Sequence, residues 1–120
     1  VVDSGDTLNQ LVNRFNAGSH GIFAGTVLTG SAVANNTFAV LMGIFNGASS
    51  VVACNGTETA GNAGATNADG LTIGGAGGGV SGTFLTGDIA EVIVYTSALS
   101  AGNRALVKNY LAARYAITVS

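Results

Sequence analysis

Glycine and asparagine break this chain into short apolar segments throughout. That punctuation is an all-β signature, because each break supplies the turn chemistry that joins short strands. Asn16-Ala17-Gly18 and Asn35-Asn36 separate candidate strands around residues 21–28 and 37–45. Asn46-Gly47 follows as a hairpin signal, since both residue types tolerate the positive φ of a type I′ turn. Residues 50–54 then read as the returning strand, closed by a second turn at Asn55-Gly56. Two consecutive hairpins make an antiparallel meander.

Beyond the meander the pattern thins. Residues 59–70 (TAGNAGATNADG) hold no side chain able to anchor a core and read as a loop. Leu71-Thr72-Ile73 reads as a three-residue strand. Residues 74–79 (GGAGGG) contain no lysine and open no helix, which excludes a phosphate-cradling loop. Residues 88–95 (DIAEVIVY) are the clearest strand: Ile89, Glu91, Ile93 and Tyr95 alternate with Ala90, Val92 and Val94. Both faces are largely apolar, so the expectation is a strand covered on both sides, with Val92 and Val94 in the core.

A helix follows from Ser100, whose hydroxyl suits the N-cap, to about Tyr115. Leu106, Val107, Tyr110 and Leu111 recur at helical spacing as its apolar stripe, with Arg104, Lys108 and Asn109 off it.

Composition limits what such a chain does. It has 120 residues, enough for one domain with a modest core. Hydrophobic residues are 48%, so disorder through low hydrophobicity is excluded. The apolar run at residues 37–45 is half of the ~20 residues a membrane-spanning helix needs. Only 8% of residues are charged, against about 25% in ordinary soluble domains. Asn, Ser and Thr supply the polarity, giving a wet but weakly charged surface with little protection against self-association. Four basic residues, three of them in the C-terminal segment, make no nucleic-acid footprint. The chain opens on Val1 without a basic-then-apolar leader, and is read as processed or as part of a longer polypeptide.

The run Gly87-Asp88-Ile89-Ala90-Glu91-Val92-Ile93-Val94-Tyr95, then Ala98-Leu99-Ser100, then Tyr110-Leu111-Ala112-Ala113-Arg114-Tyr115 resembles the end of concanavalin A-like (LamG-like) domains. Phe45-Asn46-Gly47-Ala48-Ser49-Ser50 with Asn55-Gly56-Thr57 is similar to a hairpin of that family, and Leu71-Thr72-Ile73-Gly74-Gly75 to one of its strands. The resemblance covers residues 37–117, with Ala116 standing where the family usually has glycine. It implies an antiparallel jelly-roll-like β-sandwich with one short C-terminal α-helix, spanning residues 1–120 as a single domain. Such domains hold more N-terminal strands than residues 1–36 supply. A missing N-terminal segment or neighbouring subunits are therefore expected to complete it.

The family's usual work implies a non-catalytic module that binds glycans or a cell surface, in an extracellular, cell-surface or virion setting. A structural subunit of a virion, tail or surface layer is the alternative, and a polysaccharide-active enzyme a remote one. Retaining glycosidases on this fold place two carboxylates on one strand face. Asp88 and Glu91 are three apart and so point to opposite faces; Glu91, between Ile89 and Ile93, reads instead as a buried carboxylate accepting backbone or side-chain hydrogen bonds. His20, the only histidine, lies in no nucleophile-elbow context, and one His with one Cys does not make a zinc site. Asp69 with Asn67, or Asp3 with Asp6, are weak calcium candidates without a dense acidic cluster. No cofactor is expected. Cys54 cannot form an intrachain disulfide and reads as a small buried hydrophobe. The expected structural residues are Asp88, Glu91, Val92, Val94, Leu106, Tyr110 and Leu111, and the ligand site is left open.

Overall fold

The computed structural model describes residues 2–3, 11–16, 18–32, 34, 36–67, 70, 72–75 and 84–120. These residues form two antiparallel sheets and one C-terminal helix. The strands are β1 Val2–Asp3, β2 Leu11–Asn16, β3 Ser19–Phe23, β4 Val27–Ala32, β5 Leu41–Ile44, β6 Ser50–Cys54, β7 Thr57–Gly61 and β8 Thr72–Ile73; the helix is α1 Ala101–Tyr115. The larger sheet has the order β4-β3-β2-β1-β8 and the smaller β5-β6-β7. No described helix is long and apolar enough to cross a membrane.

The smaller sheet follows from local chemistry. Asn55 (φ 49°) and Gly56 (φ 91°) both take the left-handed backbone of a two-residue hairpin turn, so Cys54 pairs directly with Thr57. The Asn55 carboxamide also accepts the Val40 amide at 2.9 Å, fixing the turn against the chain entering β5. The earlier connection differs from the type I′ turn expected at Asn46-Gly47. Residues Gly47–Ser49 form a 3-10 turn instead. The Ser50 hydroxyl closes it, donating to the Gly47 carbonyl at 2.7 Å and accepting from the Asn46 amide. Gly47 alone takes a positive φ there, and Asn46 stays at −150°.

Three strand expectations change. The single strand at residues 21–28 is two, β3 and β4, joined through a bend at Ala24, Gly25 and Thr26. The loop expected at residues 59–70 begins as strand β7, where TETAG pairs along the whole of β6. Its backbone is recruited by the hairpin register, which needs no apolar anchor of its own. The third change concerns residues 88–95. This segment belongs to neither sheet, and Val92 and Val94 are 38% and 64% exposed where core positions were expected. Its alternating pattern specifies an extended chain, but a strand also needs a neighbour, and no described strand lies beside it.

The core lies between the two sheets. Ile22 on β3 and Val52 on β6 are both fully buried and meet with Ala63, while Leu28 and Phe45 pack around them. All five residues of β6, the central strand of its sheet, are buried. Cys54 among them matches the small-hydrophobe reading: burial pushes its thiol pKa up, and a hydrogen bond with Ser31 opposes that only in part. His20 on β3 is also fully buried, and its Nε2 lies 3.4 Å from the Met42 carbonyl on β5, across the two sheets.

Candidate binding site

The helix is placed by three anchors. Ser100 is its N-cap, its hydroxyl accepting the Asn103 amide at 3.3 Å, as the sequence suggested. Arg104 then reaches the β6–β7 hairpin. Its Nε and Nη2 donate to both carboxylate oxygens of Glu58 at 2.8 and 2.7 Å, and its Nη1 donates to the Leu99 carbonyl at 3.0 Å. The Arg104 guanidinium holds the Glu58 carboxyl below its usual pKa. Beyond the helix the tail turns back, so that the Ser120 amide donates to the Asn55 carbonyl at 2.9 Å and Lys108 donates to the Ser120 carbonyl.

These anchors correct the expected stripe. The partly covered positions of α1 are Arg104, Val107, Lys108, Leu111, Ala112 and Tyr115. Leu111 is among them, but Leu106 is 69% exposed and Tyr110 46%. Arg104 and Lys108 were placed off the packed side because charge suggests solvent. Their alkyl stems cover the hairpin while their heads reach polar partners at its rim.

Turned away from the hairpin, the remaining flank of α1 faces residues 91–95. Glu91, Ile93 and Tyr95 on that segment, with Leu106, Val107 and Tyr110 on the helix, line an open groove. One carboxylate ties the two walls together. Glu91 accepts the Tyr115 phenol at 2.8 Å and the Tyr110 phenol at 3.2 Å, and Arg114 Nε lies 3.3 Å from it. The Arg114 guanidinium sits 5.9 Å from the centre of the Tyr110 ring and 5.7 Å from that of Tyr115, within cation–π range. Desolvation, then the hydrogen bond to Glu91, hold the Tyr110 phenol above its ordinary pKa. The Tyr110 phenol is therefore a protonated donor at neutral pH.

The arrangement separates the expected residues. Glu91 and Tyr110 come together in the groove, as do Ile93 and Tyr95. Asp88 lies exposed at the start of the segment, and Val92 and Val94 sit between the groove residues in the alternation. Tyr95 and Tyr110, expected at core-like positions, expose about half of their surface on the groove. Sequence reasoning missed them as site residues because periodicity identifies which residues share a face, without revealing whether that face is covered. Of the calcium candidates, Asp6 and Asp69 lie outside the described residues, and Asn67 is exposed. Among the described residues no group of three or more His, Cys, Asp or Glu side chains gathers into a metal-binding cluster.

Two antiparallel sheets with a closing helix define an antiparallel β domain, here bearing an aromatic groove between residues 91–95 and α1. A family model of the concanavalin A-like lectin/glucanase superfamily matches residues 2–103, and the chain belongs to that superfamily. The match takes in β1 to β4, where the sequence offered no recognisable motif, and ends within the first turn of α1. Comparisons with curated proteins and with solved structures return no match.

Proposed function

We propose that this chain is a non-catalytic glycan- or surface-binding module of an extracellular, cell-surface or virion protein, its two sheets forming a jelly-roll-like sandwich. The groove between residues 91–95 and α1 is its ligand seat. The observation that supports this most is the pairing of two half-exposed tyrosine rings with a carboxylate whose position is fixed by its own hydrogen bonds. A sugar ring offers an apolar C–H face and a rim of hydroxyls, so it suits an aromatic wall beside a few well-placed polar atoms. Glu91 is largely occupied by its three partners, Tyr110, Tyr115 and Arg114, and serves to orient the tyrosines. The Tyr110 phenol oxygen keeps lone pairs to accept ligand hydroxyls, whereas that of Tyr115 accepts from Arg114 Nε at 3.2 Å.

Hydrolysis has little support. The carboxylate that would act is engaged with Tyr110, Tyr115 and Arg114, and the only imidazole is fully buried. A structural role in a virion, tail or surface layer is the second reading, favoured by the low charge and by the open apolar segment at residues 88–95.

A glycan array spanning neutral and acidic oligosaccharides, followed by calorimetry on each hit, tests the reading. The expected result is binding by the wild type that Tyr110→Ala and Tyr95→Ala each weaken at least tenfold while both variants keep the wild-type circular dichroism spectrum at the assay temperature. Binding indifferent to both substitutions, or no binding across the array, removes the groove as a glycan seat.

A further inference from the structure

We propose that residues 88–95 form the edge through which two copies of this chain associate, the two segments running antiparallel about a twofold axis at Val92. Three observations lead there. The backbone of this segment is unpaired: among the described residues its single hydrogen bond is the Ala90 carbonyl accepting the Tyr115 phenol at 3.5 Å. An extended chain with free amides and carbonyls is a template for another strand. The segment is also held in place beforehand, because Glu91 fastens it to α1 through Tyr110, Tyr115 and Arg114. Little conformational freedom is left to lose on pairing.

Its side chains suit a second copy of themselves. With Val92 opposite Val92, Ala90 faces Val94, Ile89 faces Tyr95, Glu91 faces Ile93 and Asp88 faces Thr96. Aromatic–aliphatic and aliphatic pairs fall opposite one another, and no two like charges meet. Sliding the centre to Glu91 sets two carboxylates directly opposite, so the charges select against that register. The devices that usually protect an exposed edge are missing, since residues 89–95 contain no Lys, Pro or Gly.

The exposed surface is of suitable size. Ile89, Val92, Ile93, Val94 and Tyr95 are 38–64% exposed, and Leu106 beside them 69%. Counted over both faces of the segment, these residues expose on the order of 600 Å², comparable to the ~800 Å² per partner of a standard interface.

Sedimentation of the 120-residue chain over a range of concentrations, with two variants, tests the proposal. The wild type is expected as a dimer of the 11.7 kDa chain. Val94→Lys alters a side chain that is mostly exposed, so it should stay folded by circular dichroism and sediment as a monomer. Val92→Cys should cross-link to a covalent dimer on mild oxidation, because self-opposed antiparallel positions lie ~4.5–5.5 Å apart at Cα, within disulfide reach. Buried Cys54 does not compete, and Asn62→Cys, on an exposed loop, should not cross-link. A wild type that is monomeric throughout, open-ended aggregates, or a dimer that survives Val94→Lys with Val92→Cys uncross-linked would each overturn the proposal.

Discussion

The Tyr115 phenol donates to the Glu91 carboxylate at 2.8 Å across 24 residues of sequence, joining the last turn of the helix to the middle of the open segment. With the Tyr110 phenol on the same carboxylate, it is the main tie between the two walls of the groove. Tyr115→Phe should therefore cost about 1 kcal/mol, the usual net value of one hydrogen bond. Its local effect should exceed its global one. Amide exchange at residues 88–95 should accelerate more than in β6, and equal acceleration in both would mean the segment is not held by this tie.

His20 makes stability depend on pH near neutrality. Burial pushes its pKa below the ordinary value of 6.5, the hydrogen bond to Met42 opposing this only in part. With Nε2 carrying the hydrogen that donates to Met42, Nδ1 is left buried without a partner. In this window the unfolded chain binds a proton that the folded chain refuses, so stability falls as pH drops below 6.5 toward the lowered folded value. Wild-type protein should melt at lower temperature at pH 5.5 than at pH 7.5. The difference should shrink in His20→Gln whatever that variant's own stability, and an undiminished difference would assign the dependence elsewhere.

Glu58 acts in a separate and more acid window. Its pKa is depressed by the hydrogen bonds from Arg104. Its contribution is complete above the ordinary carboxylate value of ~4.3 and disappears as pH falls through the lower folded value. The Glu58 side chain is 39% exposed and the Arg104 side chain 14%, so solvent and salt weaken the pair, and about 1 kcal/mol is the ceiling. Arg104→Ala should lower the melting temperature at pH 7 and flatten the profile below pH 4.5, with helix content measured by circular dichroism falling first on heating. An unchanged acid limb would show that the pair does not hold the helix.

What could be read from sequence divides along the range of the interactions. Asn55-Gly56 and Ser100 were legible because a positive-φ turn and an N-cap are decided by neighbouring residues. The alternation at residues 88–95 was legible too, since Glu91, Ile93 and Tyr95 do share the groove side. That Val92 and Val94 would be uncovered was not, because burial depends on a neighbour that periodicity never names. The side of the helix that packs was misplaced for a similar reason. Arg104 is drawn to the hairpin by Glu58, 46 residues away, and nothing near position 104 marks that partner. Strand β7 escaped notice because TETAG takes its conformation from the register of β6 and not from its own side chains.

Ala116 stands where the resemblance leads one to expect glycine, and the backbone shows what alanine costs there. It ends the helix at φ 53°, ψ 41°, with its amide bonded to the Ala112 carbonyl. The Ile117 amide donates to that same carbonyl at 3.0 Å. Left-handed backbone costs an L-residue with a Cβ about 1–2 kcal/mol, a penalty glycine escapes. Glycine in turn loses more freedom on folding, about 0.5–1 kcal/mol relative to alanine. The left-handed term is the larger, so Ala116→Gly should stabilise the protein by roughly 0.5–1 kcal/mol. A rise of a few degrees in melting temperature, with the denaturant m-value unchanged, is the expected result. A fall would mean that residue 116 leaves the left-handed region in solution and the helix frays before Tyr115. Fraying there would release the Tyr115 phenol from Glu91, so Ala116→Gly and Tyr115→Phe should be coupled in a double-mutant cycle.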